Sequence, residues 1–182
     1  IDYDQLHTDV GADHAAIEAQ KESSLATPLQ PVFSADGTTV YVAAFGSGKI
    51  GVFDTLDIED PNFESNFDPT AESANYISVG GGPAGMVLDE SDGLNKRLYV
   101  LTRFGNQIEV VDLNTNDVIA THPLHNPEPA HIVEGRPFLY DAHATSGNGE
   151  ASCSSCHIFG DVDQLAWNLG NPDDHVTTNS QP

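Results

Sequence analysis

Val32-Phe33-Ser34-Ala35-Asp36-Gly37, then Thr39-Val40-Tyr41-Val42-Ala43-Ala44, then Ser47-Gly48-Lys49-Ile50-Gly51-Val52-Phe53-Asp54: this stretch decides the fold, because much of it occurs twice. The second copy reads Val87-Leu88-Asp89-Glu90-Ser91-Asp92-Gly93, then Arg97-Leu98-Tyr99-Val100-Leu101-Thr102, then Asn106-Gln107-Ile108-Glu109-Val110-Val111-Asp112. Tyr41 matches Tyr99, Ile50 matches Ile108 and Asp54 matches Asp112, all at an offset of 58. Each copy is an apolar run, an Asp-Gly turn, a second run, a short polar turn and a third run. That pattern predicts antiparallel strands joined by hairpins. A further strand is expected in Asp117 to Thr121, after the Asn114-Thr115-Asn116 turn.

Repeated units of three or four strands are how β-propeller blades look in sequence, with a usual period of ~40–50 residues. Here an insertion, Thr55 to Asn75, stretches the period. It carries Asp57, Glu59, Asp60, Glu64, Asp68 and Glu72 without a Lys or Arg. A solvated surface loop is the plainer reading. Calcium is the lesser one, since carboxylates suit that ion but the spacing matches no known loop. Two blades do not close a propeller, which has ~4–8. The remaining blades are therefore expected from a larger polypeptide or another protomer. The expected fold is mainly β: two propeller-like antiparallel blades followed by a loop-rich, short-helix segment. Its divisions are an N-terminal arm or short helix (1–29), the blades (30–122), and a linker with a cofactor-binding segment (123–182).

Outward from the repeats, composition narrows the function. The chain has 182 residues, with 28 Asp plus Glu against 6 Lys plus Arg, a formal charge of −22. Such a surface repels nucleic-acid phosphates and anionic membranes. No apolar run approaches the ~18–20 residues of a spanning helix. With 38% hydrophobic and 19% charged residues, a core is affordable and general disorder is not expected. Ile1-Asp2-Tyr3-Asp4 shows neither an initiator Met nor a signal peptide, so a processed chain or a piece of a longer one is expected.

The only cysteines are Cys153 and Cys156, and His157 follows directly. Cys-x-x-Cys-His is the attachment signature of c-type haem. Two intervening residues let one helical turn present both thiols to the haem vinyl groups, and the adjacent imidazole reaches iron as the proximal ligand. A dithiol redox pair lacks its βαβ context here. Zinc would need further ligands, with His131, His143 and His175 available. One covalent haem c is therefore the expected cofactor. No Met follows His157, and the sole methionine, Met86, reads as core. His143 or His175 are the candidates for the other axial position, beside a ligand from another polypeptide or an open iron. Phe138, Leu139 and Tyr140 before the motif, and Ile158, Phe159, Leu165 and Trp167 after it, are candidates for the apolar haem walls. Arg136 is the one Lys or Arg between residue 104 and the end, and a candidate partner for a haem propionate.

The chain resembles bacterial proteins that join a YVTN-type, lactonase-like β-propeller to a cytochrome c region of the diheme peroxidase type. The residues that carry the resemblance include Phe33-Ser34-Ala35-Asp36-Gly37, Tyr41-Val42-Ala43-Ala44-Phe45-Gly46, Gly81-Gly82-Pro83-Ala84-Gly85 and Gly135-Arg136-Pro137-Phe138-Leu139-Tyr140-Asp141-Ala142. The most specific are Ser146-Gly147-Asn148-Gly149-Glu150-Ala151-Ser152-Cys153-Ser154-Ser155-Cys156-His157 and Asp163-Gln164-Leu165-Ala166-Trp167-Asn168-Leu169-Gly170. The resemblance implies that Cys153 and Cys156 hold the haem and His157 is proximal. It also implies that the chain is a piece of a larger protein whose peroxidase activity needs two haems. One-electron transfer is the expected function, with no catalytic residue assigned. The alternatives are part of a peroxidase-like enzyme, or a propeller-based binding or assembly module with a structural haem. Thioether formation outside the bacterial inner membrane places it in the periplasm or beyond. Its redox partner should present a cationic face.

Overall fold

The computed structural model describes residues 19, 21–62, 69–146, 149–157 and 160–162. Two four-stranded antiparallel sheets dominate it. The first holds β1 (Pro28–Phe33), β2 (Thr39–Ala44), β3 (Lys49–Asp54) and the two-residue β4 (Ile77–Ser78). The second holds β5 (Pro83–Asp89), β6 (Arg97–Thr102), β7 (Gln107–Asp112) and β8 (Asp117–Pro123). Strand order follows chain order in both, so each sheet is a simple meander. The mainly β expectation of two propeller-like blades with short helices holds. The first blade begins at Pro28 rather than residue 30, and its fourth strand, which the sequence did not reveal, lies beyond the insertion.

The repeat is structural in detail. Pro28 opens β1 opposite Ala44, and Pro83 opens β5 opposite Thr102, each followed by an irregularity in register. Val32 pairs with Tyr41 and Val87 with Tyr99. The β2–β3 and β6–β7 turns place Gly48 and Asn106, also 58 apart, at φ +60° and +52°; glycine adopts that region freely and asparagine tolerates it.

The sheets pack face to face. Ala43, Ile50 and Ile77 from the first sheet meet Met86, Leu98, Val100 and Val111 from the second, all buried. Met86 is therefore core, as its sequence context indicated. Alternation explains the partition, since Tyr41, Ala43, Ile50 and Val52 share one face of a period-two ladder. Side chains also stitch the blades together. The Gln30 amide bonds the Met86 N–H (2.7 Å) and C=O (3.3 Å), occupying the edge of β5 that no strand pairs. Glu90 accepts from the Ala35 amide (2.6 Å) and pairs with Lys96 (2.7 Å), which holds its carboxyl below the usual range.

Buried Glu109 accepts from the Gly80 amide (2.7 Å) and from Gln107 (2.8 Å), pinning the link between the blades. Its partners explain how a carboxylate survives inside. Among the described residues, the insertion forms two single-turn helices, α1 (Thr55–Ile58) and α2 (Pro69–Glu72), and a 3-10 turn at Ser73–Asn75.

After β8 the chain runs without regular structure to α3 (Ala130–Tyr140), α4 (Ala142–Thr145) and α5 (Cys153–Cys156). Gly135 and Pro137 both disfavour a helix, and Pro137 lies inside α3. Tertiary packing overrides them: α3 rests on α5 and inserts Tyr140 between the blade turns. No helix among the described residues is long and apolar enough to cross a membrane.

Candidate functional site

The two cysteines sit at either end of α5, a single helical turn. Ser152 caps it: the Ser152 hydroxyl and the Ser155 backbone, and the Ser155 hydroxyl and the Ser152 backbone (3.2 Å), form a reciprocal capping box. A cap matters for a four-residue helix because one turn cannot hold itself in water. Cys153 is exposed, Cys156 is half-buried, and both are free thiols. Positions i and i+3 lie on one face of a helix, so the turn presents both sulfurs to one side.

His157 ends the turn, its amide bonded to the Cys153 carbonyl (2.9 Å). Its ring is exposed, and Nδ1 lies 3.2 Å from the Asp161 carbonyl. A carbonyl only accepts, so a neutral ring held this way carries its proton on Nδ1 and keeps the Nε2 lone pair for a metal. Asp161 was not among the sequence candidates, since a backbone acceptor leaves no side-chain signal. Among the described residues, no three His, Cys, Asp or Glu side chains converge as metal ligands. Haem attachment does not need such convergence, because the thiols bond to carbon and only the imidazole reaches iron.

The helices carrying the other candidates are anchored to the blade ends. Tyr140 is half-buried against Phe45 (ring centroids 5.6 Å) and Phe104 (6.4 Å), which themselves meet edge to face at 5.5 Å. Phe45 and Phe104 belong to the equivalent β2–β3 and β6–β7 turns, so Tyr140 clamps both blades. Phe104 in turn lies over Gly81 and Gly82, whose missing side chains make room for it. At Gly46 three elements meet: an added Cβ would lie 2.9 Å from Ala26 and 3.3 Å from the Tyr140 carbonyl. The Gly46 carbonyl accepts from Ala142 (2.8 Å) at the start of α4.

Arg136 donates to the carbonyls of Arg103 (2.6 Å) and Phe104 (3.2 Å) and pairs with Glu128. Its guanidinium thus fastens α3 to the second blade. His143 faces the N-terminal stretch, with Nδ1 3.4 Å from the Glu22 carboxylate and Nε2 3.4 Å from the Ser24 carbonyl. Lys49, aided by His143, holds Glu22 below the usual carboxyl range. Phe138, 74% exposed, and Ile132, 47% exposed, leave apolar surface on the helix that packs against α5. Phe159, Trp167 and His175, with Ile158 and Leu165, lie outside the described residues.

No family model matches the chain, and no curated protein matches it. Among solved structures, hydrazine synthase of Kuenenia stuttgartiensis aligns with a TM-score of 0.39 and 16% identity, covering 53% of this chain. The match spans 23% of that protein's chain. Likeness of this degree fixes neither fold family nor function, which rest on the residues themselves.

Proposed function

We propose that this chain is a c-type cytochrome module carrying one covalent haem and passing single electrons. The observation that carries the reading is the motif as folded: two free thiols on one capped helical turn, followed by an imidazole whose Nδ1 is already engaged. In attachment, each S–H adds across a haem vinyl group, forming one C–S bond and delivering the proton to carbon. When bound, the haem supplies a one-electron iron couple. The chain's own part is to hold the sulfurs on a rigid turn, to orient His157 through Asp161, and to seat the turn on α3.

Exposed Phe138 and Ile132 offer apolar surface for the haem or for further protein to cover. That observation also favours a second reading, in which the segment belongs to a larger peroxidase-like haem enzyme. A periplasmic or extracellular site and a redox partner with a cationic face follow from the chemistry of attachment and from the charge of −22.

The test is production with a haem-attachment system, followed by intact mass and visible spectra in both redox states. One haem added, lost when Cys153 and Cys156 are both changed to Ala, is the expected result. A six-coordinate low-spin spectrum supports electron transfer, whereas a high-spin one that shifts with peroxide supports the enzyme reading. Colour that survives denaturation in the double Ala variant would overturn covalent attachment through these residues.

A further inference from the structure

The segment that bears the cysteines is tethered to the blades at two places. At the second blade the tether is Arg136, a permanent cation, which donates to the Arg103 and Phe104 carbonyls. At the first blade it is His143 on α4, whose side chain is only 16% exposed. There the ring lies against residues 21–26, a strap that runs along the β2–β3 turn.

The strap belongs to the first blade. Lys49 of β3 pairs with the Glu22 carboxylate (3.0 Å) and donates to the Glu22 carbonyl. The buried Ala26 amide donates to the Ser47 hydroxyl (2.7 Å), and the Ala26 carbonyl accepts from Gly46 (3.0 Å). On its other side the strap meets the cysteine-bearing segment. The Glu22 carboxylate is 3.4 Å from His143 Nδ1, and the Ser24 carbonyl is 3.4 Å from Nε2. Gly149 sits against the strap at φ +74°, where an added Cβ would lie 2.8 Å from the Lys21 carbonyl and 3.5 Å from Nε2.

A carboxylate and a carbonyl only accept. A ring with an acceptor at each nitrogen is satisfied as imidazolium, which carries two N–H groups. Neutral imidazole has one, and turns a lone pair toward the other oxygen. Both nitrogens face oxygens, so the ring as placed offers no lone pair to iron. The other charged residues on the segments around it are Lys21, Lys49, Asp141 and Glu150. Lys49 acts through Glu22, which it holds below the usual carboxyl range and so ionised near neutrality. The Asp141 carboxylate is occupied by the Ala144 amide (3.0 Å).

We propose that His143 is a proton-dependent latch. As imidazolium it binds the strap to the segment that leads to the cysteines. On losing its proton it lets the two part, while Arg136 keeps α3 on the second blade. The cysteine-bearing segment thus has one tether that ignores pH and one that responds to it. The inference rests on the two ring contacts and does not depend on haem.

Hydrogen exchange of the full chain, corrected for the pH dependence of intrinsic exchange, reads the latch. Between about pH 5 and about pH 8, protection should fall by about tenfold in peptides carrying Ser24 and Gly149, the effect of one charge-assisted hydrogen bond. Peptides carrying Arg103 and Phe104, at the other tether, should keep theirs. His143→Gln, which cannot gain a proton, should show at both pH values the low protection of the parent at the higher one. A second measurement needs no variant: in nitrogen-15 spectra, the His143 ring should lose its second proton over the same pH interval in which protection falls. Protection that is flat with pH, or that still falls in His143→Gln, overturns the proposal. So does a parallel fall at Arg103 and Phe104, or a ring already neutral at the lower pH with the strap still protected.

Discussion

Gly81→Ala places a methyl group where the Phe104 ring lies. The new Cβ would sit 2.8 Å from Cε2 and closer still to Cδ2, against a ring that Phe45 and Tyr140 hold on its other sides. Phe104 must turn or the link between the blades must shift. Overpacking of this kind costs about 1–3 kcal/mol. Disturbing the two ring contacts adds about 0.5–1.5 kcal/mol for each pair lost. With both ring contacts disturbed the total is about 2–6 kcal/mol, which at about 2–4 °C per kcal/mol should lower the melting temperature by about 4–24 °C in a chain of this size. Thermal unfolding followed by far-ultraviolet circular dichroism measures the shift, and the near-ultraviolet band reports the aromatic cluster. The decisive variant is Gly81→Ala with Phe104→Leu. Leu leaves room for the methyl, so the pair should be less destabilised than the sum of the singles by about 1 kcal/mol or more. A single variant that melts with the parent, or strict additivity in the double, would refute the contact as the reason for glycine here.

Glu109→Leu should destabilise by about 2–4 kcal/mol, because it leaves the Gly80 amide and the Gln107 side chain without their acceptor. Glu109→Gln, which keeps one acceptor oxygen, should lose less; equal loss in urea titrations would show that bulk rather than bonding matters. Asp36 is held at about 2 by the Ser34 hydroxyl, then by the Thr38 amide and hydroxyl. Its folded value lies below the ordinary carboxyl range, so its contribution is present above that range and is lost as pH falls toward 2. The urea midpoints of the parent and Asp36→Asn should therefore converge on acidification, and a constant gap contradicts the assignment. Thr27 stands at φ +53°, a strained region for a β-branched residue. Thr27→Gly should stabilise by up to about 1 kcal/mol, and a lower melting temperature would instead give the side chain a packing role.

The blades were legible because their strands alternate with period two and their turns carry Asp-Gly and Asn, whose backbone preferences are local. β4 was not, since two residues beyond a long insertion give no periodicity to count. α3 was hidden by Gly135 and Pro137, whose local cost is met by contacts with residues far away in sequence. Glu109 alternates with Ile108 and Val110, which is how a solvent-facing charge looks in a strand. Only a sheet covered on that side, with Gly80 lying over the carboxylate, makes it a buried one. At the candidate site the motif itself was evident, but its setting was not. Arg136 is occupied by blade carbonyls and Glu128, and His143 faces Glu22, through tertiary contacts that spacing does not encode.

Both sheets are meanders in which every strand pairs with its immediate predecessor. Such pairings are close in sequence, so a nascent chain can complete the first sheet before residue 83 exists. Made N-terminus first, the polypeptide would lay down one finished sheet, then a second upon it, and only then the turn that carries the thiols. The turn that carries Cys153 and Cys156 would thus form against an already folded platform, with little time for its thiols to stand loose and exposed to oxidation.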